Sequence, residues 1–203
     1  MVLFFVLFFP QRYHNLSADF LSSEEIVYSL LWRLPACILI LLLYNKPLPI
    51  KPKKDVFVTA ITLPILCLIG FLVSLAAALT DFFSTIEGIP SPSDLIQWVA
   101  AILLSFGTGF LEEAFFRLYL PWRLLEMRQF PNNPPGSQLL FNAYATSAII
   151  FALCHIGSGP WAITNALLAA AVLSIAYIKS SSFMGIALAH GLYNIFVFFM
   201  TGL

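Results

Sequence analysis

The chain has 203 residues, 60% hydrophobic and only 10% charged, with zero formal net charge and a mean hydropathy of +0.91. A soluble domain carries about 25% charged residues, so this chain lacks the polar groups to cover a folded surface in water. That excludes a soluble enzyme, a disordered chain and a secreted disulfide scaffold, and the neutral balance offers nucleic acid no basic surface. The implied partner is the lipid bilayer.

A bilayer core is crossed by about 20 apolar residues of helix. The first apolar run, Met1–Phe9, is too short to span alone, and without a basic n-region or small-residue cleavage site it does not read as a signal peptide. About six longer runs follow: Ile26–Tyr44, Val56–Leu79, Leu95–Leu120, Leu139–His155, Trp161–Ile178 and Phe183–Leu203. The predicted fold class is all-α, a polytopic transmembrane bundle of about six to seven helices around a polar intramembrane cavity. Ser22 and Glu25 have capping-box spacing before the first long run, and Ser91–Pro92 fits an N-cap and first-turn proline before the third. Asn45–Lys54 and Pro131–Gly136 read as loops, while Pro35 and Pro64 predict kinks inside spans. Ala162, Ala166, Ala170 and Ser174 place a small residue at every turn of the fifth run, which lets a neighbouring helix approach closely. The cysteines, Cys37, Cys67 and Cys154, lie in apolar runs and read as packing residues.

Basic residues alternate between loops. Lys46, Lys51, Lys53 and Lys54 follow the first long run, Arg123 and Arg128 the third, and Lys179 the fifth; the intervening loops hold Asp81, Glu87 and Asp94. The positive-inside rule places the basic loops in the cytoplasm. Small size and short loops point to a bacterial inner membrane.

Polar residues within the apolar runs are costly and are functional candidates by default. Glu112, Glu113 and Arg117 lie in Leu-Glu-Glu-Ala-Phe-Phe-Arg. Glu113 and Arg117, one turn apart, form a good helical ion pair. Glu112 is turned about 100° away and has no local partner. Helix-joining polar residues need no such extra carboxylate. Phe151 and His155 share a face in Phe-Ala-Leu-Cys-His, and His190 and Asn194 share one in Ala-His-Gly-Leu-Tyr-Asn. Either pair alone could simply join helices. Together the clusters supply a carboxylate and a histidine able to polarise one water. They also supply a second histidine and an amide able to donate to a developing oxyanion. With no nucleophilic side chain among them, water is the expected attacker.

Glu-Glu-x-x-x-Arg, then Phe-x-x-x-His, then His-x-x-x-Asn, in this order on membrane helices, resembles the CPBP family of intramembrane endopeptidases. That family includes type II CAAX prenyl endopeptidases and lysostaphin-resistance-type proteins. The resemblance covers about Ser91–Leu203. It divides one integral membrane domain into residues 1–90, helices without a motif, and residues 91–203, a catalytic core. It implies that Glu112 is the base and activates water with His155, while His190 and Asn194 bind the oxyanion. Glu113, Arg117 and Phe151 fill the remaining motif positions and are assigned to structure. The implied substrate is a protein or peptide, prenylated or not, cleaved near its C-terminus or in a membrane-associated segment. If the enzyme is metal-dependent, Glu112, His155 and His190 are the ligands of a divalent ion such as zinc. The metal-free glutamate reading is preferred, because asparagine is a poor zinc ligand.

Straight spans would put His155 near the outer face, away from Glu112 and His190. The expected resolution is that Phe130–Ala143 lies along the interface and a shorter helix ends at His155 beside a cytoplasm-facing cavity, with Gly157–Pro160 irregular at membrane depth. Other classes fit less well. A rhomboid-type serine protease lacks its Gly-x-Ser-Gly around Ser158, and no His-Glu-x-x-His is present. A transporter would also use intramembrane Glu and His, but no inverted repeat is visible. A non-catalytic scaffold or immunity protein would not need Glu112.

Overall fold

The computed structural model describes residues 23–48, 50–80, 94–127 and 136–201. The Met1–Phe9 run, Ser22, Ser91–Pro92, Arg128 and residues 131–135 lie outside them. Among the described residues every regular element is a helix. They are α1 (Ser23–Tyr44), α2 (Pro52–Leu79), α3 (Leu95–Glu113), a π-helical segment (Ala114–Tyr119), α4 (Leu120–Glu126), α5 (Ser137–Leu153), a 3-10 turn (Ile156–Ser158), α6 (Pro160–Ser180) and α7 (Phe183–Thr201). Pro52–Leu79, Leu95–Glu126 and Pro160–Ser180 are long and apolar enough to cross a membrane. The all-α bundle agrees with the apolar runs, with shifted ends. α2 starts at Pro52, using the proline in its first turn, where the missing N–H costs nothing. α3 is capped by Asp94, whose carboxylate accepts from the Gln97 N–H at 2.8 Å. α6 starts at Pro160 after Gly159, whose φ of 91° is a backbone state that suits glycine.

The third run is not one uniform helix. Beyond Glu113 it widens into the π segment and then continues as α4 to Glu126. Pro121 supplies a physical reason. It has no N–H to return to the preceding turn, and its ring crowds the carbonyls there. The carbonyls of Phe116 and Arg117 are bonded instead from α5. The Ser147 hydroxyl donates to Phe116 O at 2.6 Å and the Tyr144 hydroxyl to Arg117 O at 3.3 Å. Buried backbone acceptors need such partners, so the same proline that disturbs the helix creates the docking sites for α5.

The most extensive helix contact is between α3 and α7. They cross where Gly109 meets Gly191. A Cβ on Gly109 would lie 2.8 Å from Gly191 N and 3.2 Å from Ala187 O, so only glycine permits this approach. One core surrounds the π segment and joins Ala36 and Ile40 of α1, Leu111, Phe115 and Phe116, Phe151 of α5, Ala166 and Ala170 of α6, and Phe183 and Ala187 of α7. A second joins α2, α6 and α7 through Leu66, Leu173, Ile186 and Tyr193. Of the small-residue stripe, Ala166, Ala170 and Ser174 are buried.

The helix ends near the basic loops are tied together. Tyr44 and Trp122 pack edge to face at 5.7 Å, with the Lys46 ammonium 5.2 Å from the Trp122 ring. Asp55 is buried at the start of α2; it accepts from the Lys51 N–H at 2.8 Å and from the Ser182 hydroxyl at the start of α7. Thr59 donates to Gly185 O at 3.0 Å across the same contact.

α5 is one uninterrupted helix from Ser137 to Leu153, which corrects the expectation that Phe130–Ala143 forms a separate interfacial piece; residues 137–143 are its first turns. Phe151 lies about 21 Å along α5, whereas His190 lies about 10 Å along α7. Their rings are nonetheless 6.0 Å apart. α5 thus meets α7 with its C-terminal turn, and the chain turns at His155 beside the core.

Two variants test these joints. Gly109→Ala should lower the thermal midpoint of the detergent-purified protein, by about 1–3 kcal/mol of stability, whereas Gly136→Ala, which meets nothing within 4 Å, should not. Asp55→Ala should cost about 1–3 kcal/mol in the same assay, because it strands the Ser182 hydroxyl and the Lys51 N–H.

Candidate active site

Glu112 and Glu113 end α3, where the π segment begins. Glu113 is fully buried and uses both oxygens. Oε1 accepts from His190 Nδ1 at 2.7 Å, and Oε2 lies 3.0 Å from Arg117 Nε. Arg117 is itself buried. Its Nη2 donates to Ala170 O at 3.3 Å, which the small alanine side chain leaves approachable, and its guanidinium lies 5.1 Å from the centre of the Phe151 ring. A charged chain therefore runs from α7 through α3 and the π segment to α6, hydrogen-bonded at its two ends and joined in the middle by the Glu113–Arg117 ion pair, whose facing atoms lack hydrogen-bond geometry. Glu113 is more than the ion-pair partner of Arg117, because it also orients His190.

Glu112 differs from its neighbour in access. Its side chain is 17% exposed against 0% for Glu113, and its Oε2 lies 3.5 Å from His190 Nε2. The imidazole of His190 thus bridges two adjacent carboxylates, one sealed and one reachable. Asn194 is half-buried one turn further along α7 and makes no side-chain hydrogen bond among the described residues.

His155 is half-buried just past the end of α5. Its Nδ1 lies 3.0 Å from Phe151 O. A carbonyl only accepts, so Nδ1 carries the hydrogen, which leaves Nε2 as the ring nitrogen able to present a lone pair. Phe151 is the common neighbour of both histidines. Its ring centre lies 4.9 Å from that of His155 and 6.0 Å from that of His190, and it packs edge to face on Phe116 at 5.0 Å. Cys154, adjoining His155, is within electrostatic reach of Glu112. The structure thus gathers Glu112, Glu113, Arg117, Phe151 and His190 into direct contacts and hangs His155 on the edge of the group through Phe151.

Sequence reasoning passed over Arg33, which lies half-buried in α1 within electrostatic reach of Glu112 but not in a direct ion pair with it. The signal was present: an arginine inside an apolar span is a functional candidate by default. It was obscured because Arg33 has no motif partner on its own helix.

Glu112, His155 and His190 were the candidate ligand set for a divalent ion. Among the described residues no three His, Cys, Asp or Glu side chains are arranged to hold one. His190 Nδ1 is already committed to Glu113, and the Nε2 atoms of the two histidines are carried on separate turns.

No curated protein and no solved structure matches the chain. Residues 94–196, about half the chain, match the family model of Rce1-like type II CAAX prenyl endopeptidases. The match runs from the Asp94 cap of α3 into α7 and contains Glu112, Glu113, Arg117, Phe151, His155, His190 and Asn194. The chain belongs to the Rce1-like type II CAAX prenyl endopeptidase family and is an integral membrane protein of CAAX-type endopeptidase lineage, acting on protein or peptide substrates.

Proposed function

We propose that this protein hydrolyses a peptide bond near the C-terminus, or in a membrane-associated segment, of a protein substrate, using water activated by Glu112 and His155. The observation that carries the reading is the division of labour between the two adjacent carboxylates. Glu113 is sealed and holds His190 and Arg117, while Glu112 remains accessible beside His190 Nε2.

In this reading Glu112 accepts a proton from the water as its oxygen attacks the scissile carbonyl carbon. His155 Nε2 accepts a hydrogen bond from that water's other O–H and so fixes its direction. The carbonyl oxygen becomes an oxyanion, which takes hydrogen bonds from His190 Nε2–H and the Asn194 amide. For Nε2 to donate while Nδ1–H bonds to Glu113, the ring carries both hydrogens, and the Glu113 carboxylate offsets the resulting charge. Collapse of the tetrahedral intermediate breaks the C–N bond, and Glu112 returns its proton to the leaving amine. The products are a new carboxylate and a new amine terminus. The donor arrangement favours this route over a three-ligand metal site, which would require His155 and His190 to shift.

The distribution of basic loops supports an active-site end at the cytoplasmic face of an inner membrane, where a prenylated C-terminus inserted in the leaflet would meet it. Purified wild type and Glu112→Gln should be compared on quenched peptides, prenylated and unprenylated, with and without chelator. The expected result is a fall of about 10²–10⁴-fold in Glu112→Gln, at unchanged thermal midpoint, with wild-type cleavage surviving the chelator. Cleavage that disappears with chelator and returns with zinc would overturn the metal-free route. Equal cleavage by both proteins would overturn the role of Glu112.

A further inference from the structure

Glu112 lacks a cation of its own among the motif residues, since Arg117 is taken by Glu113. Yet a carboxylate between apolar helices is costly without a compensating charge. The helix geometry of α1 supplies one. Ala36 and Ile40 of α1 are buried in the same core as Leu111, Ala114 and Phe115, and Tyr44 packs against Trp122. Arg33, Ala36, Ile40 and Tyr44 recur at helical spacing and so share the face of α1 turned toward α3 and the π segment. The two helices run in the same direction. Arg33 precedes Tyr44 by as many residues as Leu111 precedes Trp122, which sets Arg33 level with Leu111 and Glu112. Arg33 is half-buried there, within electrostatic reach of Glu112 but beyond direct ion-pair distance.

We propose that Arg33, from the segment before the family match, is the positioning residue for Glu112: acting from beyond direct ion-pair distance, its charge holds the carboxylate at the His190 side of the helix and offsets the carboxylate's own charge. The count of formal charge then closes. Glu112 and Glu113 face Arg33 and Arg117, so the site is neutral with His190 uncharged. An imidazolium at His190 adds one positive charge, and it faces the negative charge that passes from Glu112, protonated by the water, to the oxyanion, so the total is unchanged through the reaction. Arg33 also makes α1 part of the catalytic unit.

The inference rests on the peptidase reading for its kinetic test but not for its structural one. A double-mutant cycle of Arg33→Met with Glu112→Gln, read as the thermal midpoint of the full-length protein in detergent, tests the pairing without any substrate. Arg33→Met should lower the midpoint by about 2–4 °C when Glu112 is present and by clearly less in Glu112→Gln. Additive shifts would overturn the pairing. On a cleaved peptide, Arg33→Met should lower kcat by about 10²-fold with KM little changed, and Arg33→Lys should recover most of it. An unchanged kcat would overturn the positioning role. So would a raised KM that is abolished by amidating the peptide's C-terminus, since that result would assign Arg33 to the substrate carboxylate. If no peptide is cleaved but the thermal cycle shows coupling, the catalytic reading fails and the electrostatic coupling of Arg33 to Glu112 stands.

Discussion

The buried carboxylate of Glu113 is the point on which the site depends. It accepts from His190 on α7 with one oxygen and ion-pairs with Arg117 on the π segment through the other, away from water. In a low-dielectric interior each of these interactions is stronger than at a surface, and losing one partner leaves the other as an uncompensated buried group. Arg117 passes the constraint to the backbone of α6 through Ala170 O and to Phe151 through its ring. A single acidic side chain thus fixes the relation of α3, α6 and α7 and, through Phe151, the end of α5. The glycine crossing of Gly109 with Gly191 is the steric counterpart of this electrostatic tie. It brings the backbones close enough for a carboxylate to bond the histidine directly.

The π segment performs a second task. A regular α-helix through Pro121 would leave carbonyls in its preceding turn without donors. Here Ser147 and Tyr144 fill them, and α5 is docked at the turn that follows the two glutamates. Helix irregularity, cross-helix hydrogen bonding and site geometry are one local solution. π-helical insertions recur at functional sites because they shift side chains around the axis.

The same arrangement gives meaning to the mismatch between the lengths of α5 and α7. α7 delivers His190 from its second turn, and α5 delivers Phe151 from its last. Ending α5 at Leu153, with a 3-10 turn and the positive-φ Gly159 before α6, places His155 on irregular backbone beside the core. Polar backbone of that kind is tolerated within a membrane protein only where protein or a cavity surrounds it. In the proposed reaction, that position lets the Nε2 of His155 reach water that has entered beside Glu112.

The sequence by itself determined the solvent, the helical class, most helix limits and the family. Apolar length and period are local properties, and the three polar motifs stand out because charge is so costly in that solvent. It also made Glu113 and Arg117 a pair, since one helical turn separates them. It did not determine that Glu113 holds His190, that Asp94 rather than Ser91 caps α3, or that α5 is unbroken from Ser137 through Ala143. Each of these depends on which faces of distant helices meet, and helix periodicity carries no record of axial offset between helices. The glycine crossing, the carbonyls exposed by Pro121 and the parallel register of α1 against α3 set those offsets, and they exist only once the bundle has packed.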